Sequence, residues 1–206
     1  MSATKSFNQF KMLLAERLIE QGLHRRGDVL TKAMPEAVLV FELQKDSKNS
    51  SKEAVRFTVN VGIFLNALRA FRCNDAAQAD PSADQCHWRA RLGRLTPAQA
   101  DVWWTIRNDE EAKVLCDEIA KSISVDALPR IEGLTTADAF VDAWRSDKGQ
   151  GLTEYERRAN LARLLAVLGR KTEAREALHA LTAASEGKAW AVAAKVDARE
   201  LGRLLD

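Results

Sequence analysis

Apolar and polar residues alternate with a period of two through residues 54–63, where Val55, Phe57, Val59, Val61 and Ile63 share one face and Arg56, Thr58, Asn60 and Gly62 the other. That period suits a half-buried strand and no helix. Residues 38–44 form a second extended, apolar-rich run, and the all-polar stretch 45–53 between the two reads as a solvated hairpin loop. Almost everything else has helical spacing, so the pattern predicts helices that pack on one face of a sheet.

Taken in order, Ser6 to Gln9 has capping-box spacing, and Phe7, Phe10, Leu14 and Leu18 follow at helical intervals until Gly22. An extended piece over 28–32 precedes a break at Met34-Pro35, which makes three strands in series and predicts an antiparallel meander. Phe64, Leu68 and Phe71 suggest a helical turn, and the aperiodic stretch 74–85 reads as a mobile loop. Alternation resumes over 86–93, a fourth strand with Trp88, Ala90 and Leu92 inward and His87, Arg89 and Arg91 outward.

Thr96-Pro97-Ala98-Gln99 carries the signature of a helix start, with a threonine cap, proline in the first turn and glutamine closing the box; Val102, Trp103, Trp104 and Ile106 then load that helix with core mass. Asn108 caps a further helix that carries Val114, Leu115, Ile119 and Ile123 and is expected to stop before Leu128-Pro129. Another begins at Thr135 or Thr136 and carries Phe140, Val141 and Trp144, before Lys148-Gly149-Gln150-Gly151 interrupts every pattern. Beyond that boundary, Thr153 caps a helix ending at Gly169, and two more helices follow, separated near Gly187.

Composition changes this picture only by exclusion. With 206 residues and 46% hydrophobic content the chain can bury a core without staples, and a formal charge of +2 exerts no global pull toward nucleic acid or an anionic membrane. Three scattered cysteines, Cys73, Cys86 and Cys116, form no disulfide or zinc spacing and point to a reducing, cytoplasmic setting. No leader and no membrane-spanning run is read in the chain, and secretion or membrane insertion is not expected.

Candidate chemistry concentrates on the polar face of the sheet, where parity places Glu42, Gln44, Arg56, Thr58, Asn60, His87, Arg89 and Arg91. Arginine forks suit carboxylates or phosphates and an imidazole suits proton transfer near neutrality; a merely solvated outer face would show the same alternation. Arg89, Arg91, Arg94 and Arg107 cluster, but no aromatic residue is read on the outward parity, which disfavours nucleic-acid binding there. Trp103-Trp104 is taken as packing mass. Cys86 and His87 are adjacent in a strand, so they point to opposite faces and make no dyad. His24 and His179 lack partners at metal-ligand spacing, and phosphate loops, nucleophile elbows and HExxH are absent, so neither metal nor cofactor is expected.

The segments 7–27, Leu43-Gln44-Lys45, Phe57-Thr58-Val59-Asn60-Val61-Gly62, Cys86-His87-Trp88-Arg89-Ala90-Arg91-Leu92-Gly93 and Trp103-Trp104 together resemble a bacterial family of uncharacterised domains, known only as a domain of unknown function, across residues 4–144. The resemblance implies an α+β fold without an established catalytic residue, and suggests a small neutralising protein of the toxin-immunity kind. Residues 161–178 are similar to one helical hairpin of a tetratricopeptide repeat, which cannot bury its own face and is expected to pack on the preceding part, with docking on a partner as the alternative.

The expected architecture is α+β: a mostly antiparallel sheet of about four strands with helices on one face over residues 1–147, then an all-helical extension over 148–206. The expected function is a non-catalytic bacterial module that binds another protein through the polar sheet face. Two alternatives stand beside it: an enzyme using His87 with Arg56, Arg89 and Arg91 on a phosphorylated or carboxylated small molecule, and a nucleic-acid binder working through residues 89–107.

Overall fold

The computed structural model describes residues 2–49, 53–71 and 80–206. Its organising element is strand β4 (Val55–Leu65), which pairs along one edge with β3 (Ala37–Lys45) in antiparallel register, Phe41 opposite Val61 and Glu42 opposite Asn60. From β3 the sheet continues through β2 (Val29–Ala33) to β1 (His24–Arg26), every pairing antiparallel. The other edge of β4 is shared end to end by β5 (Trp88–Arg91), opposite 60–63, and β6 (Trp104–Ile106), opposite 55–57. The meander is therefore as expected, and among the described residues the sheet has six strands where about four are expected.

The inner face of β4 carries the alternation read from the sequence: Val55, Phe57, Val59, Val61 and Ile63 are all buried. Helix α1 (Ala3–Leu18) lays Phe7, Phe10, Leu14 and Leu18 onto it, and the rings of Phe7 and Phe10 each lie 5.1 Å from that of Phe57. Burying each such side chain stabilises the fold by about 2 kcal/mol. Ser6 is not the cap of α1: the helix starts earlier, and the buried Ser6 hydroxyl donates to Asp109 at 2.5 Å. That contact ties α1 to the start of α3 (Asp109–Lys121), whose cap, Asn108, accepts from the Glu111 N–H as the sequence predicts.

Two local signals are overruled. The Thr96-Pro97-Ala98-Gln99 start opens no helix; after the short α2 (Leu92–Leu95) the chain turns, with Gln99 at a φ of 48°, and then extends into β6. Pairing of Trp104 and its neighbours with β4 satisfies more backbone and apolar surface than a short exposed helix would, so tertiary context wins over the cap. Leu128-Pro129 likewise fails to stop α3. The chain stays helical through a widened π-type segment, Ser122–Ala127, into α4 (Leu128–Ile131), with Pro129 in its first turn, where a missing N–H is tolerated.

Helix α5 (Ala137–Arg145) is capped by Thr136, and the Ala137 N–H also donates to Glu36 at 2.9 Å, which ties the helix to the β2–β3 turn. The C-terminal helices are α6 (Glu154–Val167), α7 (Lys171–Ala184) and α8 (Ala191–Leu205). The Thr153/Glu156 capping box and the left-handed Gly169 fall where the sequence puts them. These helices do not stand apart: Ala159, Ala162, Leu165 and Leu181 belong to the same apolar cluster as the inner sheet face. The mobile loop expected over 74–85 lies outside the described residues as far as position 79; from there, residues 80–85 are held against the sheet, with a capping box between Ser82 and Gln85.

Candidate functional site

The polar face read from the sequence is divided by the fold into one covered end and a window, inside which Thr58 is also covered. At one end, Val40 and Phe64 on the outward parity pack with Ala83 and Cys86, so segment 81–87 lies on the sheet there. Gly62 makes this contact feasible: a Cβ at that position would overlap the Cys86 sulfur. Glu42 belongs to this end too, because its Oε2 accepts from the Ala83 N–H at 2.8 Å. The Glu42 carboxylate thus holds the incoming segment as well as facing outward.

His87 and Arg89 share the outward parity, as predicted, but the expected exposure is wrong. His87 is buried, since α6 comes round the end of the sheet and closes over it. Its Nδ1 accepts from the Leu65 N–H at 3.0 Å, which places the proton of the neutral ring on Nε2. Burial, together with the charges of Arg163 and Arg89, pushes the imidazole down to about 4, so at neutral pH it is an uncharged hydrogen-bond donor. It borders a cleft of about 330 Å³ with Glu156, Asn160 and Arg163 of α6.

Arg89 joins the sheet to the same helix. Its guanidinium donates to both Glu156 oxygens, at 3.1 and 3.2 Å, and to the Asp84 carbonyl at 2.9 Å. The Nε is buried without a hydrogen-bond partner among the described residues. On Glu156, burial is outweighed by hydrogen bonds from Thr153 and the charge of Arg89, which hold the carboxyl below its usual range. Arg163, in turn, donates to Asp197 at 2.6 Å and stands over the Phe71 ring. The C-terminal side of this cleft is invisible to parity, because Glu156, Asn160 and Arg163 recur every three or four residues on a helix whose Glu156 is 67 positions away from the Arg89 it meets.

Farther along β4, Thr58 is buried rather than open, its hydroxyl donating to the Val102 carbonyl at 2.9 Å under the chain that leads into β6. Around it lies a window of Gln44, which pairs with Thr58 across the strands, Arg56, Asn60 and Arg91, together with Trp103, which the sequence reads as core mass. Because β6 is extended, Trp104 points inward, with its indole N–H on Glu118 at 3.0 Å, and Trp103 points outward. The half-buried Trp103 ring lies between two guanidiniums, Arg56 at 5.0 Å and Arg91 at 5.3 Å. Alternation over 102–107 was the signal for this arrangement: Val102, Trp104 and Ile106 take one parity, Trp103, Thr105 and Arg107 the other.

The window is cross-linked. Gln44 Oε1 accepts from Asn60 at 2.9 Å and from Arg91 at 3.1 Å, while Arg56 pairs with Asp46 at 2.9 Å. Between Asn60, Arg91 and the edge of Arg89 lies a shallow hollow of about 400 Å³. The catalytic grouping considered from the sequence is not assembled, since His87 and Arg89 face α6 whereas Arg56 and Arg91 clasp Trp103. Among the described residues no cluster of His, Cys, Asp and Glu is arranged to hold a metal, and no helix is long and apolar enough to cross a membrane.

No curated protein and no solved structure matches the chain. A family model does: the family described as a domain of unknown function (DUF4304) matches residues 14–133, a span that holds the whole sheet and the Trp103 window but not α6. That span is more than half of the chain, which therefore belongs to the DUF4304 family of domains of unknown function.

Proposed function

We propose that this protein is a non-catalytic module that binds another protein through the window on the outer sheet face. The observation that carries the reading is Trp103, held half-exposed between the guanidiniums of Arg56 and Arg91. Tryptophan and arginine supply much of the energy at protein interfaces, because both bury large areas and keep a polar handle. Two flanking cations already restrict this indole, so a partner that covers it has less side-chain freedom to freeze. Asp46, Gln44 and Asp101 around it provide the polar rim that such interfaces carry.

The test is affinity capture from the native host, comparing wild type with Trp103→Ala and Arg91→Glu, each checked for folding by thermal melting. A stoichiometric protein captured by wild type, lost by both variants, and binding the purified protein with the same dependence supports the reading. A partner held equally by all three, or none held by wild type, overturns it. Neutralisation of a toxin is one specific form of the proposal: the captured protein then inhibits growth when produced alone and is harmless when produced together with this chain.

A further inference from the structure

A further cavity lies between β5, α5 and the strap 147–151, on the other side of Gly151 from the window hollow. It holds about 600 Å³ and is floored by Trp88, Phe140 and Trp144, with Ala139 and Ala143 one helical turn apart along its wall. Phe140 and Trp144 meet edge to face at 5.1 Å and are themselves nearly fully buried, while Trp88 is partly exposed. Pockets of this size with an aromatic lining and few polar groups suit a small organic molecule.

The rim narrows the chemistry. Asp147 is already neutralised by Arg157 at 2.6 Å, whereas Lys148 makes no ion pair among the described residues. The strap that follows keeps its shape through contacts that use other atoms: the Arg89 N–H donates to the Gln150 carbonyl at 3.0 Å, and the Leu152 N–H to the Gly149 carbonyl at 3.0 Å. Gly151, at a φ of 72°, lies so close to the Arg89 backbone that a side chain would overlap it. Among the described residues the N–H groups of Gly149, Gln150 and Gly151 donate no hydrogen bond. One uncompensated ammonium beside a run of unused backbone donors is a setting for an anion.

We propose that this pocket binds a small planar aromatic anion, its ring system against Trp88, Phe140 and Trp144 and its carboxylate or sulfonate at Lys148 and the strap N–H groups. The occupant is a small molecule and touches neither Trp103 nor its arginines, so the pocket stands or falls independently of the protein-binding reading.

The probe is 1-naphthoate, with 1-naphthamide as its uncharged counterpart, titrated into the full chain by calorimetry while tryptophan fluorescence is followed. Wild type is expected to bind naphthoate saturably and more tightly than the amide. Lys148→Glu should weaken naphthoate by roughly fivefold, the scale of an exposed charge pair, and leave the amide unchanged. Ala143→Phe, which fills the cavity, should abolish binding of both probes; Ala139→Leu serves the same purpose if that variant melts early. No saturable binding at millimolar probe, binding untouched by a folded cavity-filled variant, or equal affinity for acid and amide each overturns the proposal.

Discussion

The two faces of β4 are built by different means. The inner face is closed by whole helices, and its residues Phe57, Val59, Val61 and Ile63 meet side chains from α1 and α3 in one continuous cluster. The outer face is closed piecemeal by short crossing segments, residues 81–87 over Gly62 and Phe64 at one end and Val102 over Thr58 farther along. What the inner face contributes is stability spread over many contacts. The outer face depends on a few individual atoms, and it leaves Trp103, Arg56 and Arg91 partly exposed beside its covers.

The largest effect should come from the inner face. Phe57→Ala removes the ring that Phe7, Phe10 and Trp104 surround and is expected to destabilise by about 3–5 kcal/mol, read as a lower denaturation midpoint in urea. A cost below about 1 kcal/mol would mean that this core can collapse around the gap.

On the covered end of the outer face, His87 should give a pH signature. Its folded value of about 4 lies below the ordinary 6.5, so the unfolded chain binds the proton more readily. This contribution is fully present above pH 6.5 and is lost as the pH falls toward 4, on the order of 3 kcal/mol in all. Urea midpoints across that window, compared with His87→Gln, measure it; equal slopes for the two proteins would show that the ring charges without penalty.

Next comes Gly62→Ala, where the added methyl meets the Cys86 sulfur and is expected to cost about 1–3 kcal/mol. Pairing it with Cys86→Ala should recover part of that loss in a double-mutant cycle. The smallest effect belongs to the window: Arg56→Ala breaks a pair with Asp46 in which the arginine is exposed, and should change thermal stability by less than about 1 kcal/mol. A larger fall would show that the window is another structural seam and would erase the contrast between the faces.

Period-two and period-3.6 patterns are local, and what they encode was legible: the β3–β4 pairing, the inward set of β4, the stripe of α1 and the capping box of α6. Parity also assigned His87, Arg89 and Arg91 to the right face. Parity says nothing of what lies above a face, and there the reading failed: His87 and Thr58 are buried because α6 and the approach to β6 cover them. The Trp103–Trp104 pair was misplaced because a strong cap at Thr96 competed with a six-residue alternation, and long-range pairing with β4 decided the contest. Glu156, Asn160 and Arg163 were out of reach altogether, since only the folded chain brings them to His87.

The strands at the margins of the sheet, β1 on one side and β5 and β6 on the other, bear on how it meets other strands. At one margin, β1 is three residues long and wholly exposed as His24, Arg25 and Arg26. At the other, the Arg89 N–H on the free side of β5 is taken by the Gln150 carbonyl. A chain attempting to extend the sheet by backbone pairing meets a short cationic margin on one side and a partly occupied one on the other, which discourages fibril-like stacking of copies. Contacts along these margins are thereby left to side chains rather than to the main chain.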